Sequence, residues 1–171
     1  MIVVVMGVTG SGKTAVGSAL AAELGWPFLD GDDFHPPANV AKMASGTPLT
    51  DADRWPWLDR LTDEMRAILA RGGNAVLACS ALKQAYRVRL AAAAKAPGEV
   101  RFVYLKADHA TIAARLAARK HRYMPATLLA SQFATLEEPA DAIVVDASAS
   151  IADEVARIRE SLVATGVGAH R

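Results

Sequence analysis

Ile2-Val3-Val4-Val5-Met6-Gly7-Val8-Thr9-Gly10-Ser11-Gly12-Lys13-Thr14 is the stretch on which the fold turns. Its first five residues are apolar and mostly β-branched, the pattern of a strand buried on both faces of a parallel sheet. The next eight fit G-x-x-x-x-G-K-[ST] at every fixed position. Residues 13–24 then carry Val16, Leu20 and Leu24 on one stripe and stop at Gly25, which predicts a helix. Strand, glycine-rich turn and helix in this order build an anion cradle. The backbone N–H groups of Gly7, Val8, Thr9, Gly10, Ser11, Gly12, Lys13 and Thr14 are expected to curl around one centre, and the helix N-terminus adds its positive end. Lys13 is placed to reach the β- and γ-phosphates, and the Thr14 hydroxyl to ligate Mg²⁺. A β–α turn that binds nothing has no need of that lysine or hydroxyl. The loop by itself asks for ATP or GTP and does not separate a kinase from a nucleotide switch.

Outward from the loop, short apolar runs alternate with helical patterns. Strands are predicted at Trp26–Leu29, Ala75–Cys79, Phe102–Leu105 and Ala142–Val145. Residues 30–50 read as loop with a short helix. A helix is predicted from Asp51, with Leu58, Leu61, Met65, Ile68 and Leu69 on one face and Gly72-Gly73 at its end. Further helices are expected at 82–94, at 109–118, up to about Thr135 after the basic stretch Arg119–Pro125, and along Ile151, Val155, Ile158 and Leu162. Five strands, each followed by a helix, give an α/β three-layer sandwich around a five-stranded parallel sheet. No repeat or linker divides residues 1–171, so one domain is expected. Periodicity does not give the strand order.

Composition narrows the functional classes. Of 171 residues 52% are hydrophobic and 36 are alanine, a globular and helix-favouring balance. Lys and Arg total 19 against 18 Asp and Glu, a net charge of +1, which argues against nucleic-acid binding by bulk positive charge. Cys79 is the single cysteine, so no intrachain disulfide and no multi-cysteine zinc site is expected. Ile2–Met6 is too short to span a bilayer and follows no basic segment, so neither membrane insertion nor a signal peptide is expected. A soluble protein of the cytoplasm is the expectation.

Asp30-Gly31-Asp32-Asp33-Phe34-His35 follows the second predicted strand, at the sheet edge where parallel α/β proteins bind ligands. Asp30 is a candidate Mg²⁺ ligand. Asp32 is a candidate to orient an acceptor hydroxyl or take its proton. His35 is the weaker candidate, since a lone histidine before proline also serves as a loop hydrogen-bonder. Arg54, Lys83 and Arg87 are candidate cations for an anionic acceptor; Lys83 and Arg87 lie four apart, which a helix would place on one face.

The chain resembles the small bacterial gluconokinases of the P-loop type. The resemblance is carried by Phe28-Leu29-Asp30-Gly31-Asp32-Asp33-Phe34-His35-Pro36 and by Asn39 to Leu49. It continues in Asp51-Ala52-Asp53-Arg54-Trp55-Pro56-Trp57-Leu58, Cys79-Ser80-Ala81-Leu82-Lys83 with Tyr86-Arg87, Leu128 to Phe133, and Thr135-Leu136-Glu137. It implies a fold similar to nucleoside monophosphate and shikimate kinases, with strand order 2-3-1-4-5 and a small lid at about 119–135. It implies ATP-dependent phosphorylation of D-gluconate on its 6-hydroxyl, with Mg²⁺. A homodimer is a further option that it leaves open.

On that resemblance Lys13, Asp32, Arg119 and Arg122 are expected to be catalytic. Gly7 to Thr14 and Arg115 would hold the nucleotide, Thr14 and Asp30 the metal, and Asp32, His35, Arg54, Lys83 and Arg87 the acceptor. The lid departs from the family at His121-Arg122-Tyr123, where the histidine stands one place early. Two alternatives stand beside this reading: another kinase of the fold, such as shikimate kinase, and a nucleotide-dependent switch. Cys79-Ser80-Ala81 stands where shikimate kinases carry a glycine triplet, and the chain has no Asn-Lys-x-Asp guanine motif.

Overall fold

The structure, a computed structural model, describes residues 1–118 and 126–164. Its strands are β1 (Ile2–Met6), β2 (Phe28–Asp30), β3 (Ala75–Ala78), β4 (Val100–Lys106) and β5 (Ile143–Asp146). Its helices are α1 (Lys13–Leu24), α2 (Pro37–Ala44), α3 (Asp51–Ala70), α4 (Gln84–Ala91), α5 (His109–Ala118), α6 (Ala126–Thr135) and α7 (Ile151–Ala164), with a 3-10 turn at Gly31–Phe34.

All pairings are parallel and the order is β2-β3-β1-β4-β5, as the family resemblance implied. The central strand explains the layering. Every residue of β1 is fully buried. Ile2, Val4 and Met6 pack with Leu58, Leu61, Met65 and Leu90 of α3 and α4 on one face. Val3 and Val5 pack with Val16, Leu20, Val155 and Ile158 of α1 and α7 on the other. Each buried aliphatic side chain of this kind contributes about 1.5–3 kcal/mol. A smaller cluster of Val8, Leu82, Ile112 and Leu129 seals the carboxyl ends of the strands beneath α5 and α6.

Strands β3, β4 and β5 differ from the sequence reading by one or two residues at their ends, and two further differences have a local reason. The Trp26 N–H closes the end of α1 on Ala21 O, so the ladder to β3 starts only at Phe28, opposite Val76. The helix expected over 82–94 is confined to Gln84–Ala91, because Ala81 has φ 45° and Lys83 is extended at φ −91°, ψ 149°. Helix α3 starts where expected. The Thr50 side chain accepts from the Asp53 N–H, and the Asp53 carboxylate accepts from the Thr50 N–H, a closed capping box. The stretch 119–125, the basic part of the expected lid, lies outside the described residues.

Candidate active site

Because all strands run one way, Gly7, Gly31, Cys79, Ala107 and Ala147 leave the sheet at the same edge. At Gly7 the backbone sits at φ 146°, and a Cβ there would stand 2.8 Å from Ser11 Oγ and 3.0 Å from Leu105 O. Conformation and space both demand glycine. The Lys13 ammonium donates to Val8 O at 3.0 Å, so it curls over the loop rather than away from it. Three of the N–H groups expected to face the anion centre donate elsewhere: Gly7 to Ser80 O at 3.3 Å, Ser11 to Val8 O at 3.2 Å, and Thr9 to Gln132 Oε1 of α6 at 2.7 Å, while Gln132 Nε2 donates to Thr9 Oγ1 at 2.8 Å.

Strand β2 delivers the acidic turn beside that loop. The Thr14 hydroxyl donates to Asp30 Oδ2 at 3.2 Å, and Asp30 Oδ1 accepts from the Asp32 N–H at 3.0 Å. Asp30 therefore caps the 3-10 turn while offering carboxylate oxygen to the loop. The Asp32 side chain is 78% exposed and its Oδ1 lies 4.0 Å from His35 Nε2.

His35 is buried and stacks on Trp57 with ring centroids 4.1 Å apart and planes 16° from parallel. Asn39 Nδ2 donates to Asp53 O at 2.9 Å, which fixes the orientation of that amide, and lies 3.3 Å from His35 Nδ1. An amide nitrogen only donates, so the network assigns Nδ1 as acceptor and puts the proton on Nε2, the atom nearest Asp32. Burial pushes the His35 pKa below its ordinary value, against the opposing pull of the Asp32 charge.

Farther along the cleft Asp51 gathers two partners. Lys83 Nζ donates to both its oxygens at 2.9 and 2.8 Å, and the Tyr86 hydroxyl donates to Oδ1. The Lys83 bond holds the Asp51 carboxyl below its ordinary range, and the same bond raises the lysine. Arg54 Nη1 donates to Leu49 O, and its guanidinium stands 5.7 Å from the centre of the Tyr86 ring. The phosphate loop, the Asp30–His35 turn, the start of α3, the loop from Ser80 to Lys83 and α6 wall one cleft of about 1380 Å³ that Arg54 and Lys83 also line.

Arg87 is not brought there. It is 4% exposed and donates to Ala81 O and Leu82 O, both at 3.0 Å, and to Gln84 Oε1 at 2.9 Å. The four-residue spacing misleads because Lys83 is the extended N-cap of α4, outside its helical face. Arg115 donates to Ala147 O in the turn after β5. Arg119 and Arg122 lie outside the described residues. Asp51, Tyr86, Asn39 and Gln132 had no assigned role in the sequence reading. Asp51 and Tyr86 stand within the family-like blocks, but no spacing rule joins residues 35 apart.

A phosphate loop on the central strand, the order 2-3-1-4-5 and an acceptor cleft alongside define a small-molecule P-loop kinase. A family model described as an AAA domain matches residues 2–143. The chain is 50% identical to the gluconokinase of Gluconobacter oxydans (strain 621H) over 141 residues, 81% of this chain and 76% of that one. It is 41% identical to the thermosensitive gluconokinase of Escherichia coli (strain K12) over 165 residues, 94% and 87% of the two chains. The crystal structure of a gluconokinase from Sinorhizobium meliloti 1021 superposes with a TM-score of 0.85 at 42% identity, covering 95% of this chain and 91% of that one. Shikimate kinase from Aquifex aeolicus vf5, at 15% identity and a TM-score of 0.59 over 99% and 100% of the two chains, shares the fold alone. The chain belongs to the gluconokinase family.

Proposed function

We propose that the protein transfers the γ-phosphoryl group of ATP to the 6-hydroxyl of D-gluconate, giving ADP and 6-phospho-D-gluconate. The observation that carries this reading is the single cleft running from the phosphate loop past Asp32 to Arg54 and Lys83. It joins a polyphosphate cradle to cations suited to a sugar-acid carboxylate.

Lys13 and the amides running into α1 hold the phosphates. Thr14 and Asp30 fit a hard divalent cation: two oxygen donors 3.2 Å apart beside the loop. Among the described residues no group of three or more His, Cys, Asp or Glu is placed to hold a metal ion. Bound there, Mg²⁺ neutralises charge on the β- and γ-phosphates.

Asp32 orients the 6-hydroxyl and accepts its proton as the new P–O bond forms. His35, held by Trp57 and Asn39, steadies Asp32 or an acceptor hydroxyl through Nε2–H. Arg54 and Lys83 take the carboxylate end of the acceptor. Arg115 supports the nucleotide side through the Ala147 turn. The assignment of Arg119 and Arg122 to the transferred phosphoryl, and of a lid at about 119–135 to water exclusion, rests on the family resemblance. No described helix is long and apolar enough to cross a membrane.

The test is ADP formation with ATP and D-gluconate, shikimate or no acceptor, in wild type and Lys13→Ala. Release that requires gluconate and vanishes in a folded Lys13→Ala supports the reading. Equal release with shikimate, or with no acceptor, overturns it.

A further inference from the structure

Helix α6 reaches the phosphate loop through one carboxamide. Gln132 Oε1 accepts the Thr9 N–H at 2.7 Å and Gln132 Nε2 donates to Thr9 Oγ1 at 2.8 Å, across 123 residues of chain. The two bonds have opposite polarity, so they fix which end of the amide is oxygen. The Thr9 nitrogen belongs to the same peptide unit as the Val8 carbonyl, and that carbonyl accepts from Lys13 Nζ at 3.0 Å and from the Ser11 N–H at 3.2 Å. A peptide unit is planar, and in the trans form its C=O and N–H point in opposite directions. One rigid plate therefore carries Gln132 on its N–H edge and the Lys13 ammonium on its C=O edge. Turning the plate about the chain would carry the lysine's anchor with it.

We propose that Gln132 is a positioning residue for phosphoryl transfer: it sets the Val8–Thr9 peptide plane and, through it, the place of the Lys13 ammonium at the phosphate loop. This rests on the reading of the loop as the ATP site, not on the identity of the acceptor. The Thr9 N–H lies one step before the amides that run into α1, so Gln132 bounds the cradle without occupying its centre. Gln132 also lines the cleft, so the side of α6 that covers the acceptor route is the side tied to the lysine's anchor.

The experiment is a double-mutant cycle on Gln132→Ala and Lys13→Ala, read by binding of a fluorescent ATP analogue, with turnover on gluconate read in the Gln132 single variants. Gln132→Met, which keeps side-chain length without either bond, is run beside Gln132→Ala, at a temperature where circular dichroism shows both folded. Both Gln132 variants should lose about 10- to 100-fold in kcat, the scale of an ångström-sized misplacement, with the gluconate KM moved by less than about threefold. Analogue binding should weaken in the Gln132 variants, and in the Lys13→Ala background either change should add less than about twofold, because the effect passes through the lysine. Equal losses in both backgrounds would show that Gln132 merely braces α6 and would overturn the proposal. So would a kcat within about twofold of wild type. The binding arm uses no acceptor and so fails or succeeds separately from the gluconate reading, which wild-type turnover alone decides.

Discussion

The Thr14 hydroxyl donates to the Asp30 carboxylate at 3.2 Å, joining the first turn of α1 to the end of β2 across sixteen residues. The contact brings a loop hydroxyl and a strand-end carboxylate to one point at the edge of the cleft. Asp30→Asn separates the two duties of that carboxylate. Asparagine still caps the 3-10 turn through its side-chain oxygen, while the charge is gone. The variant should keep its circular dichroism spectrum and need about 10-fold more Mg²⁺ for half-maximal turnover. An unchanged Mg²⁺ titration would remove Asp30 from the metal site.

Arg54 and Arg87 should part company. Arg54→Ala is expected to raise the gluconate KM by about 30- to 150-fold, or 2–3 kcal/mol, with a smaller effect on kcat. Arg87→Ala strips the Ala81 carbonyl of its donor, while Leu82 O keeps the Glu137 N–H at 2.9 Å, and should lower stability by about 1–3 kcal/mol while leaving the gluconate KM near wild type. Denaturant titration and initial rates measure both. A folded Arg87→Ala with a collapsed gluconate KM would return the carboxylate to that side chain.

His35 gives the site an acid limb. Its pKa is held below the ordinary 6.5 by burial, so the neutral ring is the one the fold favours. Its contribution is present above pH 6.5 and is lost as pH falls through the lower folded value, where a proton on Nδ1 would face the Asn39 N–H donor. His35→Phe keeps the stack on Trp57 and removes the titration. Thermal unfolding scanned from pH 8 to 5 should fall less steeply on the acid side in the variant. Parallel curves would show that the ring does not titrate in that window.

Glu154 acts in the opposite direction. It is 2% exposed, its Oε2 has no hydrogen-bond partner among the described residues, and burial raises its pKa to about 7. The folded chain then holds a proton that the unfolded chain has released, so stability falls as pH rises from about 4.5 to 7 and stays lowered above it. Glu154→Gln should match wild type near pH 5 and exceed it at pH 8 by about 1–3 kcal/mol. Chemical denaturation at the two pH values checks it, and an equal difference at both would dismiss the titration.

The parts legible in the sequence are those that local chemistry dictates. Buried Ile2–Met6, the loop from Gly7 to Thr14 and the capped start of α3 each need only neighbours in the chain, and each stands where the sequence reading put it. Strand order came from the family resemblance, since apolar runs such as Ala75–Ala78 and Ile143–Asp146 carry no label for their neighbours. The partners of the site residues were the hidden part. Lys83 on Asp51, Asn39 on His35 and Gln132 on Thr9 are tertiary meetings that no spacing encodes. Arg87 shows the reverse error. Its helical offset from Lys83 is real in the sequence and void in space, because Ala81 at φ 45° and the extended Lys83 delay the helix.

The central place of β1 has a consequence for how the chain is made. Ile2 pairs with Ala75 and Val100, and Met6 with Tyr104, so once made this strand waits for roughly a hundred residues before both its edges are filled. At ribosomal rates of about 5–20 residues per second that interval is on the order of 5–20 s. During it Ile-Val-Val-Val-Met, the most apolar edge the molecule owns, has no ladder to join. The nascent chain, more than the finished enzyme, is therefore where this protein is exposed to aggregation, and ribosome-bound chaperones are the cellular machinery that meets it at that stage.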